Sequence, residues 1–357
     1  MGAYPMPPRF VLDSLRAGIA IPAHPLALTE SRTLDERHQR ALTRYYYAAG
    51  SGGIAVGVHT TQFEIRLPKH GLYGPVLELA AETLDTCEGA GTRKLVRIAG
   101  VVGQTAQAVA EAKLASDLGY HVALLSLAAL KDASEKELID HCRTVGEAMP
   151  LMGFYLQPSV GGRLLSYNFW RQFAELPNLV AIKMAPFNRY QTLDVVRAVA
   201  EAGRLDEISL YTGNDDHILL DLVSAYELAT AQGSVRARMA GGLLGHWACW
   251  TERAVEQLER CKAVRLGDSV PASLLSEAIR VTECNAAFFD AANGFRGCIP
   301  GIQEVLRRQG LVANRLTLNA EEGLSPGQAD EIDRVYRAYP ELNDDEFVRE
   351  HLDEWLR

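Results

Sequence analysis

The amino-acid sequence predicts an α/β protein, a (β/α)8 or TIM barrel with a C-terminal helical extension. Apolar runs that suit strands alternate with amphipathic stretches that suit helices, eight times within about 250 residues. After about residue 270 the strand-like runs stop and only helical patterns continue. We therefore expect a barrel over residues 1–268 and a helical region packed on it over residues 269–357. An open doubly wound sheet is the alternative.

The predicted strands are short apolar runs that end in polar or glycine residues. The first four are residues 18–23, 53–58, 95–102 and 121–126. The other four are residues 151–156, 179–186, 208–211 and 234–239, of which the last is the weakest.

A predicted helix follows each strand. Capping residues indicate several helix starts, among them Thr33, and Ser134 with Glu137 as a capping box. Gly119 is a typical C-terminal stop. In the C-terminal region we expect helices over residues 271–292, 300–309, 326–338 and 345–356.

Composition excludes several function classes. The net charge of −9 argues against a nucleic-acid surface and gives no support to a membrane-binding patch. No long apolar run predicts a transmembrane helix or a signal peptide. The six cysteines are scattered without a CxxC pair, which fits a reducing cytoplasm and predicts no zinc site. We expect a cytoplasmic protein.

Lys183 is the most informative residue, because it lies inside the apolar run Leu179–Pro186. Burying an ammonium group is costly unless the group is paired or loses its proton. A neutral lysine amine attacks ketones to form a Schiff base, which is one reason to accept that cost. The alternative is a structural lysine whose ammonium group reaches solvent or a carboxylate.

Other polar residues follow the predicted strands, at the end of a barrel where active sites lie. They offer a proton relay, hydroxyls that suit a carboxylate, and glycines that let a substrate approach the backbone. The candidates are His59, Thr60, Thr61, Tyr155, Arg163, Gly213, Asn214 and Gly242.

Each candidate also has a structural interpretation. Tyr155 suits packing, the Thr60–Thr61 pair suits a strand end, and Gly213–Asp215 suits a turn with a helix N-cap. A metal site at His59 or His246 is a weaker alternative, because no HxH or HExxH spacing accompanies them. We predict no metal and no cofactor.

Over about residues 16–310 the sequence resembles the dihydrodipicolinate synthase and N-acetylneuraminate lyase family of Schiff-base aldolases. The family's Gly-Thr-Thr-Gly-Glu motif corresponds to residues 59–63, and its Tyr-Asn-x-Pro motif to residues 155–158. Its Ile-Lys motif corresponds to Ile182–Lys183, 28 residues after Tyr155. The turn at residues 213–215 and Ile299–Pro300 also match.

The resemblance implies an imine between Lys183 and a 2-keto acid such as pyruvate. It implies that Tyr155 shuttles protons, that Thr60 and Thr61 bind the substrate carboxylate, and that Thr60 also passes a proton. It implies a homodimer or homotetramer as well. Arg163, His59, Gly213, Asn214 and Gly242 are the further substrate-binding candidates.

Several positions depart from the family's motifs. Gln62 and Phe63 replace a glycine and a glutamate, Leu156 replaces an asparagine, and Val160 stands where an arginine is expected. The usual tyrosine pair after the fourth strand is replaced by residues 126–130.

These departures argue against the exact synthase activity and favour a divergent lyase for another 2-keto acid. The second hypothesis is a family member that has lost catalysis and binds a ligand or regulates a partner. The third is a metal-dependent barrel lyase that uses His59, His246 or Asp215.

Overall fold

The computed structural model describes residues 4–231 and 233–357. The strands are β1 (Ala20–Pro22), β2 (Gly53–Val56), β3 (Val96–Val101), β4 (Val122–Leu125), β5 (Leu151–Leu156), β6 (Leu179–Ala185), β7 (Ser209–Thr212), β8 (Tyr226–Thr230), β9 (Gly233–Ala237) and β10 (Gly241–Leu244). The helices are α1 (Arg9–Ala17), α2 (Glu36–Ala48), α3 (Tyr73–Ala90), α4 (Thr105–Asp117), α5 (Glu135–Gly146), α6 (Tyr167–Phe173), α7 (Arg189–Glu201), α8 (Ile218–Val223), α9 (Thr251–Val264), α10 (Ala272–Phe288), α11 (Cys298–Arg308), α12 (Gln328–Ala338) and α13 (Asp345–Trp355).

The chain divides into two compact units, and β10 begins in one and ends in the other. Unit 1 consists of residues 1–19 and 96–242. Its parallel strands follow the order β3-β4-β5-β6-β7-β10. Residues of β3 to β7 and the start of β10 are buried, as expected for parallel strands covered by helices.

Unit 2 consists of residues 20–95 and 243–357. It contains β1, β2 and the end of β10. The Ala23 amide donates to Leu244 O at 3.2 Å, and the His24 amide donates to Ala55 O at 2.8 Å. It also contains the helices from α9 to the C-terminus. The eight parallel strands confirm the predicted (β/α)8 barrel with C-terminal helices; the predicted boundary at residue 268 stays a prediction.

The predicted eighth strand is wrong. Residues 233–237 form β9, which pairs antiparallel with β8 in a hairpin, and the barrel strand is β10. Val235 and Ala237 alternate with polar residues, as a half-buried strand requires, so the pattern indicated a strand of a different sheet. Gly241 begins the barrel strand because its backbone closely approaches Ile19; a Cβ there would lie 2.4 Å from Ile19 O.

Local signals set most of the other boundaries. Ser134 accepts from the Glu137 amide and forms the predicted capping box of α5. Gly119 takes a positive φ of 79° just after α4. Helix α1 was not predicted from the proline-rich N-terminus. Among the described residues, no helix is long and apolar enough to span a membrane.

Candidate active site

Lys183 lies in the middle of the buried strand β6, and the residue is only 7% exposed. It is in register with Phe154 on β5 and with Tyr211 on β7. Residues in register on neighbouring parallel strands point to the same face of a sheet. The Nζ atom accordingly lies 4.5 Å from the centroid of the Phe154 ring.

Burial lowers the pKa of the Lys183 ammonium to about 8, while the negative charge of Asp215 acts in the opposite direction. With that pKa, about a tenth of the side chain is a neutral amine at neutral pH, whereas an exposed lysine is almost wholly protonated. The burial of Lys183 in β6 therefore provides a nucleophilic amine.

Gly213, at the end of β7, packs directly against the Lys183 stem. A Cβ on Gly213 would lie 2.5 Å from Lys183 Cε and 2.9 Å from the Ala185 Cβ. The Gly213 amide donates to Met184 O at 2.6 Å. A glycine is required at this position because any side chain would displace the lysine.

Asp215 follows Gly213 in a tight turn, in which the Asp215 amide donates to Gly213 O at 3.1 Å. The Asp215 residue is buried, with 5% exposure. Between them, Asn214 is fully buried and accepts from the Phe187 amide through Oδ1 at 3.1 Å. The turn after β7 is thus fixed to the loop after β6, and it places a carboxylate in the electrostatic field of Lys183.

Tyr155 lies on the opposite face of β5 from Phe154, in register with Met184. Its hydroxyl donates to Leu165 O at 3.1 Å and accepts from the Leu165 amide at 3.3 Å. Its ring lies 5.2 Å from that of Trp170. Burial raises the pKa of the Tyr155 phenol. The structure therefore brings Phe154, and not Tyr155, next to Lys183.

A register shift between β5 and β6 explains this placement. Leu151 pairs with Leu179, which by regular continuation would pair Tyr155 with Lys183. Met152 instead pairs with Ala181, so β6 contains one extra residue and Phe154 pairs with Lys183. Such a bulge reverses the faces of the following residues.

Arg163 and Gly242 take structural positions in unit 1. The Arg163 guanidinium donates to Ala133 O at 3.1 Å and also to Leu130 O, so it holds the loop after β4. Gly242 is paired with Thr212 across β10 and β7, and its amide donates to Ile19 O at 3.3 Å.

His59, Thr60 and Thr61 form a short 3₁₀ turn after β2, in unit 2. The Thr60 hydroxyl donates to Ala23 O at 2.8 Å, and the Thr61 hydroxyl donates to His24 O at 2.7 Å. Thr61 Oγ1 also accepts from the Gly57 amide at 3.0 Å. Both hydroxyl protons are therefore bonded to backbone carbonyls.

The geometry does not support the alternative metal site at His59 or His246. His246 is buried, which lowers the pKa of its imidazole to about 4, and its ring stacks on Phe288 with centroids 5.5 Å apart. Within residues 4–231 and 233–357, no three His, Cys, Asp or Glu side chains are grouped so that they would hold a metal ion.

Comparison with known proteins identifies the family. The model of the dihydrodipicolinate synthetase family matches residues 20–235. The chain belongs to the dihydrodipicolinate synthetase family. A curated relative is the 4-hydroxy-tetrahydrodipicolinate synthase of Azoarcus sp. (strain BH72), which is 26% identical over 294 residues, or 81% of this chain and 87% of the relative.

Solved structures of the family share the fold. Dihydrodipicolinate synthase from Oceanobacillus iheyensis aligns with a TM-score of 0.72 at 16% identity, over 93% of this chain and 99% of that one. N-acetylneuraminate lyase from Fusobacterium nucleatum, solved with pyruvate, aligns with a TM-score of 0.67 at 16% identity, over 92% and 99%. These likenesses confirm the barrel.

The sequence alone did not identify Phe154 or Asp215 as parts of the site. Phe154 was missed because the family spacing of 28 residues selects Tyr155, and a bulge leaves no clear signal in the sequence. From the sequence, Asp215 is interpreted as part of a turn with a helix N-cap, or as a metal ligand in the third hypothesis, and not as an acid–base residue. The signal for it was its position two residues after Gly213, at the end of a strand adjacent to β6.

Proposed function

We propose that this protein is a Schiff-base-forming lyase that acts on pyruvate or another 2-keto acid through an imine at Lys183. The observation that carries the proposal is the burial of Lys183 in β6, which lowers the pKa of its amine to about 8. A neutral amine attacks the keto carbon, and the resulting iminium accepts electrons from a carbon–carbon or carbon–hydrogen bond of the adjacent carbon. Loss of that proton gives an enamine, which can expel a hydroxyl group from the next carbon and so break a carbon–oxygen bond. The reaction class is that of a class I aldolase and requires no cofactor.

Membership of the dihydrodipicolinate synthetase family supports this proposal. The curated relative in Azoarcus is a synthase of that family, and the lyase from Fusobacterium nucleatum was solved with pyruvate, the simplest 2-keto acid of this kind. No observation favours the non-catalytic or the metal-dependent alternative.

Borohydride trapping tests the proposal. The protein is incubated with pyruvate, reduced, digested and analysed by mass spectrometry, beside Lys183→Ala and the control Lys136→Ala. Lys136 is exposed, and its ammonium pairs with the surface carboxylate of Asp140 at 3.0 Å. We expect a stable adduct on Lys183 in the wild type and in the control, and none in Lys183→Ala. An adduct that persists in Lys183→Ala contradicts the proposal. So does a wild-type protein that forms no adduct with any of a panel of 2-keto acids.

The roles of Tyr155 as proton shuttle and of Thr60 and Thr61 as carboxylate ligands stay predictions, as do the substrate contacts of His59, Arg163, Gly213, Asn214 and Gly242. A homodimer or homotetramer in the cytoplasm belongs to the same proposal. Family membership supports the assembly, and sedimentation would measure it.

A further inference from the structure

The groups around Lys183 in unit 1 raise the question of which one transfers its protons. Imine formation moves two protons from the lysine nitrogen to the keto oxygen, which leaves as water. A group that accepts and donates protons must therefore lie near Nζ. Phe154, which faces Nζ at 4.5 Å, carries no such group.

Two tyrosines lie on the strands next to Lys183: Tyr211 pairs with Lys183 itself, and Tyr155 pairs with Met184. The hydroxyls of both tyrosines bond to backbone groups. The Tyr211 hydroxyl donates to Leu15 O at 2.9 Å and accepts from the Ile19 amide at 3.3 Å. The Tyr155 hydroxyl both donates to and accepts from the Leu165 backbone. Burial raises the pKa of both phenols, so neither readily loses a proton.

Asp221, another buried carboxylate of this region, is also committed. It accepts from Thr212 at 2.7 Å and from Asn214 at 3.0 Å, and it pairs with Arg189 and His217. These bonds hold it in its ionised form. Through these contacts it stabilises the turn after β7.

Asp215 remains. Its backbone is fixed two residues after Gly213, which touches the Lys183 stem, and its buried carboxylate interacts electrostatically with the lysine. We propose that Asp215 is the general acid–base residue of imine formation at Lys183, in place of a tyrosine. This inference rests on the proposed function.

Asp215 can carry both protons that imine formation moves from the Lys183 nitrogen to the keto oxygen. The Asp215 carboxylate takes a proton from the Lys183 ammonium, the free amine attacks the keto carbon, and Asp215 returns that proton to the keto oxygen. The carboxylate then takes a second proton from the nitrogen and gives it to the departing hydroxyl, as the nitrogen lone pair forms the C=N bond. Water leaves, and the iminium remains paired with the Asp215 carboxylate.

Asp215→Asn separates this role from a purely electrostatic one. Without the negative charge, the pKa of Lys183 falls and more of the amine is neutral, so an electrostatic role alone predicts faster imine formation at neutral pH. A general acid–base role predicts a loss of about 100-fold. The control is Asp216→Asn, which removes the adjacent carboxylate and leaves Asp215 in place.

The experiment measures two rates on Lys183 at neutral pH: trapping with pyruvate and cyanoborohydride, and arylation by fluorodinitrobenzene, which needs only a free amine. In Asp215→Asn we expect arylation to rise and trapping to fall about 100-fold, and in Asp216→Asn both to stay near the wild type. Circular dichroism and thermal melting check the fold. Trapping in Asp215→Asn as fast as in the wild type overturns the role of Asp215 and leaves the lyase proposal intact.

A Tyr155→Phe variant completes the set. If Tyr155 is the shuttle, trapping falls in Tyr155→Phe and not in Asp215→Asn, which also overturns the inference. If the wild type is arylated but traps none of a panel of 2-keto acids, the proposed function itself fails and the role of Asp215 fails with it.

Discussion

At the scale of single residues, two opposing effects determine the protonation state of the Lys183 amine. Burial favours the neutral amine, whereas Asp215 favours the ammonium form, and burial dominates. The Phe154 ring stabilises a nearby cation only modestly, since a cation–π contact is worth about 1–2 kcal/mol. The result is an amine with a pKa of about 8, which is neutral often enough to attack and basic enough to exchange protons near neutral pH.

The pH dependence of Lys183 reactivity follows from this balance. Because only the deprotonated amine reacts with fluorodinitrobenzene, we expect the arylation rate to rise about tenfold per pH unit below the pKa and to level off above it. The midpoint should lie near pH 8, where the lowered pKa of Lys183 lies. Site-resolved mass spectrometry measures this against the exposed Lys136. A midpoint near the ordinary lysine value of about 10.4 would show that burial does not activate the amine.

Gly213→Ala tests the packing of the Lys183 stem. The new Cβ would lie 2.5 Å from Lys183 Cε, so the side chain must move out of its position. We expect adduct formation to fall at least about tenfold and the free energy of unfolding to fall by about 1–3 kcal/mol. Trapping kinetics and urea denaturation measure the two effects.

The matched control is Gly89→Ala in helix α3, where nothing lies within 4 Å of the new Cβ. Alanine favours a helix over glycine by about 1 kcal/mol, so this variant should be as stable as the wild type or more stable. Equal trapping in the two variants would mean that Lys183 tolerates a side chain at residue 213.

At the scale of elements, Asp221 on α8 joins the ends of neighbouring strands and helices. It accepts from Thr212 at the end of β7 and from Asn214 in the following turn, and it pairs with Arg189 at the start of α7. Burial raises the pKa of this carboxyl, but the bonds from His217, Thr212 and Asn214 and the charge of Arg189 outweigh burial and lower it. The turn that carries Gly213 and Asp215 therefore depends on one buried carboxylate.

Asp221→Asn should cost about 1–3 kcal/mol of unfolding free energy, because it weakens the bonds that the buried Thr212 and Asn214 side chains donate to the carboxylate, while the partly exposed Arg189 charge is screened by water. In the wild type the folded carboxyl binds protons less readily than the unfolded one, so its contribution is present near neutral pH and is lost as the pH falls through its lowered pKa. Urea denaturation at several pH values measures both effects.

The control for this variant is Asp194→Asn, which removes a half-exposed pair with Arg197 on the surface of α7. A pair of this kind contributes at most about 1 kcal/mol. If the two variants lost equal stability, or if Asp221→Asn kept the acid sensitivity of the wild type, Asp221 would not hold these elements together.

The strands also show how far sequence reasoning reaches. Apolar runs located β2 to β7 to within two or three residues, because buried parallel strands need continuous apolar sequence. That reasoning failed at β10, where close backbone approach requires Gly241 and removes the apolar signal. Within the site, sequence reasoning identified Lys183, because a lysine is unusual inside an apolar run. It did not find Phe154, because a bulge in β6 is decided by tertiary pairing and not by local sequence.

At the scale of the whole molecule, the C-terminal extension belongs to the same compact unit as β1 and β2. Helix α13 packs on α2, where the Trp355 ring lies 5.5 Å from that of Tyr45. A buried polar cluster extends this contact: the Tyr45 hydroxyl donates to Asp344 at 2.7 Å and accepts from the Thr251 amide at 2.7 Å. Gln309 also donates to Asp344 at 2.7 Å. The extension is thus an integral part of the stability of unit 2.

Tyr45→Phe tests that conclusion with the ring retained. It removes the donor to Asp344 and the acceptor of the Thr251 amide, and both groups are buried. Asp344 keeps the bonds from Gln309 and from the Glu252 amide, so the main cost is the buried Thr251 amide left without its acceptor. That cost is about 1–3 kcal/mol, so we expect a clear loss of thermal stability. Calorimetry measures it against Tyr47→Phe, which removes a single exposed bond from the Tyr47 hydroxyl to Arg93 O. Equal melting temperatures in the two variants would mean that this cluster does not hold the extension. A selective loss in Tyr45→Phe would show that this buried cluster determines how firmly the C-terminal helices are attached to α2.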